Sequence, residues 1–157
     1  MRTYFLTGLF LTMATYVSAG ETFDMNRTAK GVSEPQMHQN AQGHLIGNLH
    51  STLTPEISDA AHPFFGMTGD CTGHIVIKSG SARGAGTCVY GNADGDTALL
   101  EYAIIGLTAE GGFHGTWVSH GGTDKMADLS GGGTWFNTAA AENGTYTQHV
   151  NGAIRLP

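Results

Sequence analysis

From His44 onward the chain alternates short apolar-rich runs with clusters of Gly, Asn and Asp, and within the runs the apolar positions recur every second residue. The runs are His44 to Thr54, Cys71 to Lys78, Ala82 to Gly91, Thr97 to Leu107, Gly112 to Ser119, Leu129 to Asn137 and Thr145 to Leu156. Period two sends successive side chains to opposite faces of a strand, and short strands separated by turn residues are the mark of an all-β barrel or sandwich. We read a small antiparallel β-barrel of about eight strands, occupying residues 44–157 as a single domain. Residues 20–43 show neither helical nor strand periodicity and read as an irregular N-terminal arm. The stretch "TPEISDAAHPFFGMTGD" leaves room for no more than a short helical turn between Pro55 and Ala61.

The two cysteines fix a register. If Ser79-Gly80 is a two-residue hairpin loop, Lys78 faces Ser81 and, seven steps along, Cys71 faces Cys88 in a non-hydrogen-bonded pair, where the Cα atoms are close enough for a disulfide. The bridge then clamps a hairpin rather than closing a distant loop. The same register puts Cys71, Gly73, Ile75 and Ile77 on one face with Ala82, Gly84, Gly86, Cys88 and Tyr90. Thr72, His74, Lys78 and Arg83 lie on the other, so the first face is the interior. Its glycines indicate strongly coiled strands, as in a small barrel.

The segment Asn92-Ala93-Asp94-Gly95-Asp96 carries oxygens at alternate positions, and two readings are open: a weak calcium site on Asn92, Asp94 and Asp96, or a hairpin corner. The flanks are strands, and the twelfth position, where a calcium loop of the EF-hand type needs Glu, is Ala103. A type I turn wants Asn first and Gly fourth, which favours a three-residue loop with Gly95 left-handed. That loop faces Cys88 with Leu100 and turns Leu100, Tyr102 and Ile104 inward and Glu101 outward. A loop one residue shorter would bury Glu101, the one candidate general acid or base of the chain.

Met1-Arg2, the apolar run Tyr4 to Tyr16 and the small residues Val17-Ser18-Ala19 read as a cleaved signal peptide, residues 1–19. No apolar run reaches the roughly 20 residues of a bilayer-spanning helix. The chain left after cleavage has 138 residues, six basic against 13 acidic side chains and a net charge of −7. Without clustered Lys or Arg it is no nucleic-acid binder. These features predict an exported protein, periplasmic or secreted, where a disulfide persists.

"GDCTGHIVIKSGSARGAGTCVYGNADGD" and "GGTDKMADLSGGGTW" together resemble exported bacterial proteins related to the allene oxide cyclase barrel. In those, a Gly-Gly-Thr-Gly-Lys-aromatic segment precedes a Thr-aromatic strand, and a Cys pair brackets a Gly-rich hairpin ending in Asp-Gly-Asp. The likeness covers residues 66–137, with Asp124 and Asp128 standing where glycines are usual and Met126 in place of the aromatic. It implies an eight-stranded antiparallel barrel whose cavity, in some relatives, holds a hydrophobic substrate and steers its cyclisation. The plant cyclase's catalytic residues have no counterparts here.

Candidate chemistry is sparse. No metalloprotease or paired-cysteine metal spacing and no nucleophile elbow occurs, and the eight histidines are scattered. His44 and His50, six residues apart, would need a ligand from another strand. Tyr102, Trp117 and Trp135 are the candidate ligand-lining residues, but the many glycines leave volume that bulky aromatics must occupy, which favours tryptophans that fill the barrel over tryptophans that line a cavity. Three function classes follow: a non-enzymatic binding barrel for a small apolar ligand, an envelope interaction or inhibitor module, and a cofactor-independent cyclase or isomerase acting in the barrel. The first is favoured, and none of the three requires an organic cofactor.

Overall fold

A computed structural model describes residues 20–157; the expected signal segment lies outside the described residues. Ten strands form one sheet: β1 (Glu21–Asp24), β2 (Arg27–Ser33), β3 (Gln36–Gln39), β4 (Leu45–Pro55), β5 (Thr68–Lys78), β6 (Ser81–Gly91), β7 (Thr97–Leu107), β8 (Phe113–Gly122), β9 (Ser130–Asn137) and β10 (Thr145–Leu156). From β4 to β9 each strand pairs with the next. β9 pairs with β10, β10 with β2 and β2 with β4, so the sheet closes into an eight-stranded antiparallel barrel. All seven strands expected from the hydrophobic pattern are present.

The register read from the cysteines holds. Lys78 faces Ser81 and Cys71 faces Cys88, and the two are joined by a disulfide with Cα atoms 4.0 Å apart. Ser79 and Gly80 both have positive φ, 49° and 75°, the conformation that lets a two-residue loop follow the right-handed twist of its strands. At the next corner Gly95 has φ 93°, Cys88 faces Leu100 and Thr87 faces Glu101. The longer of the two loops is therefore the one formed.

The expected irregular arm is broken into three short strands that share one slot in the barrel. β1 pairs only with the end of β10, β2 fits between β10 and β4, and β3 pairs only with the start of β4. One break lies at Met25-Asn26, where Asn26 Oδ1 accepts a hydrogen bond from Gly152 N–H. The other is at Glu34-Pro35, and Pro35 has no N–H to give a ladder. The eighth wall strand thus comes from residues 27–33. Its pattern is muted because the inward positions Ala29 and Gly31 are small, so apolar bulk does not announce the interior face.

The two ends of the barrel differ. The 56–67 connection crosses the end at which β5 begins, held by turns such as His62 N–H to Asp59 O and Phe65 N–H to His62 O, and it buries Phe64 and Met67, each 1% exposed. It forms no helix. The β8–β9 loop adds a 3₁₀ turn, Asp124–Met126, in which Asp124 has φ 48°. Met126 and Leu129 pack into the same base. The base is therefore closed by apolar side chains. At the opposite end the loops 108–112 and 138–144 and the β3 segment surround an opening.

Candidate functional site

Inside the barrel lies a cavity of about 670 Å3 that reaches the open end, within the ~300–1,000 Å3 span of small-molecule sites. Its existence follows from how the interior is furnished. Five of the inward aromatic side chains each face a glycine on a neighbouring strand: Tyr90 with Gly69, Tyr102 with Gly86, Tyr146 with Gly31, Trp117 with Gly133 and Trp135 with Gly115. A Cβ at Gly69, Gly86 or Gly31 would run into the facing tyrosine ring. Rings laid on glycines lie against the wall instead of crossing the barrel, and the centre stays open. This explains why so glycine-rich a chain can hold five large aromatics and still enclose space.

The three candidate lining residues come together. Tyr102 and Trp117 are cross-strand partners, Tyr102 and Trp135 meet edge to face with centroids 6.0 Å apart, and all three line the cavity. Trp117 Nε1 donates to Asn151 O at 3.2 Å and Trp135 Nε1 to Thr116 O at 3.1 Å. Their polar edges are thereby tied into the wall, leaving the ring faces for contact. Contrary to the expectation from their bulk, the tryptophans line the interior and do not fill it, because each lies across from a glycine of the neighbouring strand.

Burial raises the pKa of each inward phenol. Tyr102 is pushed up to about 12, first by desolvation and then by the nearness of Tyr146; Tyr90 is raised for the same two reasons. Tyr146 is raised by burial, opposed by a hydrogen bond with Ser51. The phenols stay neutral at physiological pH. Of the five tyrosines, Tyr4 and Tyr16 fall in the expected signal segment, so in residues 20–157 every tyrosine faces the interior. Titrating that chain at pH ~10, where exposed tyrosine is half ionised, is expected to show little tyrosinate absorbance. Because the folded values lie above the unfolded one, their contribution to stability is complete below pH ~10 and is lost as the pH climbs toward 12. Substantial ionisation of the native chain at pH ~10 would contradict the interior placement.

The other sequence candidates lie elsewhere. Glu101 is outside the barrel, exposed, with Oε2 3.1 Å from His120 Nε2, so it touches nothing held in the cavity. At the β6–β7 corner Asn92 Oδ1 accepts hydrogen bonds from the backbone N–H of Asp94 and Asp96, at 3.0 and 3.1 Å. The Lys125 ammonium sits 3.4 Å from Asp96 Oδ2. Backbone N–H groups thus engage Asn92 Oδ1 and the Lys125 ammonium faces Asp96 Oδ2, the arrangement of a hairpin corner. Among the described residues no three His, Cys, Asp or Glu side chains converge. His50 pairs with Asp70 on the outer surface at 2.9 Å, and His149 stacks on Phe136. His62 alone is deeply buried, in the base; desolvation, then Arg27, lowers its pKa.

Sequence reasoning missed Arg27, Tyr146 and the base residues Phe64 and Met67. The available signal was the alternation of Arg27, Ala29 and Gly31 with Thr28, Lys30 and Val32, which marks a strand whose inner face is small. No family model, curated protein or solved structure matches the chain. Function therefore rests on the geometry of the cavity.

Proposed function

We propose that this protein is an exported binding barrel that carries a small, largely apolar ligand in its interior. The observation that supports this most is the shape of the cavity: about 670 Å3, walled by aliphatic side chains and aromatic ring faces, closed at the base and open at the loop end. A soluble apolar molecule gains most where it can leave water without displacing tightly packed side chains, and here the interior volume is already free. The mouth is apolar too, with Met37, Leu45, Ile77 and Phe113 among its lining residues. No described helix is long and apolar enough to cross a membrane. The disulfide and the signal-like residues 1–19 support export.

The test is titration of residues 20–157 with N-phenyl-1-naphthylamine, a neutral dye that brightens in apolar surroundings. Saturable binding near one dye per chain is expected, with loss of that signal in Ile75→Trp, whose larger ring enters the cavity from the wall. A dye that never brightens, or that binds Ile75→Trp equally well, would remove the proposal.

A further inference from the structure

Among the described residues lining the cavity, two side chains carry a formal charge, Arg27 and Glu142, and they sit at opposite ends. Glu142 belongs to the exposed 138–144 loop at the mouth. Arg27 opens β2 at the base end, facing Val150 of β10, on the inward face it shares with Ala29 and Gly31. Its Nε is buried and has no hydrogen-bond partner, and among the described residues its guanidinium is in none of the ion pairs. Asp24 and Asp59 are near enough to His62 to act on it, but neither lines the cavity.

An arginine cannot escape an unfavourable site by losing its proton, so a charge held at the end of an apolar cavity is costly unless an anion meets it. The planar guanidinium is matched to a carboxylate, which it binds through charge-assisted hydrogen bonds. We infer that the ligand is an amphipathic carboxylate, taken up head first, with its carboxylate on Arg27 at the base and its apolar body along the aromatic wall toward the mouth. The inference rests on the binding-barrel reading and adds the ligand's charge and direction. Glu142 at the rim reinforces that direction, because it repels a carboxylate left at the mouth. The carboxylate is bound, not transformed: no bond of the ligand is broken.

The experiment is displacement of N-phenyl-1-naphthylamine by decanoate and by decan-1-ol at neutral pH, on the wild-type chain and on Arg27→Met. Methionine keeps an unbranched apolar stem and removes the charge. On the wild type, decanoate is expected to displace the dye at a concentration about tenfold or more below that of decanol. In Arg27→Met that advantage should vanish while decanol is unaffected or improved. An equal response to acid and alcohol on the wild type overturns the inference, and this comparison stands even if the variant does not fold. Persistence of the acid's advantage in Arg27→Met overturns it as well. In either case a dye-binding cavity leaves the broader proposal intact; failure of the dye itself to bind removes both.

Discussion

Phe64→Ala is expected to destabilise the protein by about 3–5 kcal/mol, the usual range for deleting a fully buried phenyl ring. Phe64 is 1% exposed, packs edge to face on Tyr90 at 5.2 Å and lines the base of the cavity. Removing it extends the existing cavity downward rather than leaving a void that neighbours can collapse to fill. Domains of this size have only ~5–15 kcal/mol in total, so the variant should unfold at a much lower urea concentration with an unchanged denaturant slope. Phe64→Leu should recover most of the loss. A shift of less than about 1 kcal/mol would mean that the 56–67 connection opens independently of the barrel and does not seal it.

Gly31→Ala is expected to cost about 1–3 kcal/mol, although the change adds only a methyl group on a strand. The three atoms nearest a Cβ at this position all belong to the Tyr146 ring, so the ring must leave the wall and enter the cavity. Dye binding should weaken along with stability. Because a single side chain is responsible, Gly31→Ala made in a Tyr146→Leu background should be nearly neutral, and the double-mutant cycle should show a coupling of ~0.5–3 kcal/mol. Additive losses would place the conflict in the backbone instead and would weaken the account of how glycines keep the barrel hollow.

Both expectations turn on residues, Phe64 and Gly31, whose packing was not legible in the sequence, whereas other parts of the barrel were. The β5–β6–β7 meander was readable to the residue, because Ser79-Gly80 and Asn92 to Gly95 are turns whose chemistry sets loop length, and loop length sets register. From that register came the disulfide, the inward Leu100, Tyr102 and Ile104, and the outward Glu101. Tyr102, Trp117 and Trp135 are identifiable as possible lining residues from their type and strand positions alone. Whether they filled the barrel or lined it depended on the glycines across from them, and so on pairings between strands whose mutual register no turn residue specifies. Arg27 was hidden for a related reason. Its neighbours on the inner face, Ala29 and Gly31, are small to make room for Tyr146, and a strand that buries small residues carries little hydrophobic signal. The base was illegible because Phe64 and Met67 lie in an irregular connection, where burial has no period.

The slot filled by β2 bears on the order in which the chain can fold. Seven wall strands, β4 to β10, are joined neighbour to neighbour, and each can pair with the one just before it as the chain emerges. β2 must instead bridge β10 and β4, joining residues more than a hundred positions apart, as in the pairing of Arg27 with Val150. Contacts of such separation form late. Until the last strand is in place, an N-terminal segment bearing the one cation of the cavity has only half of its binding edge, and the apolar wall faces solvent through the gap. The cavity and the closed barrel are therefore completed by the same final step, and if the proposed apolar acid is the ligand, its presence during folding would favour the closed form by mass action.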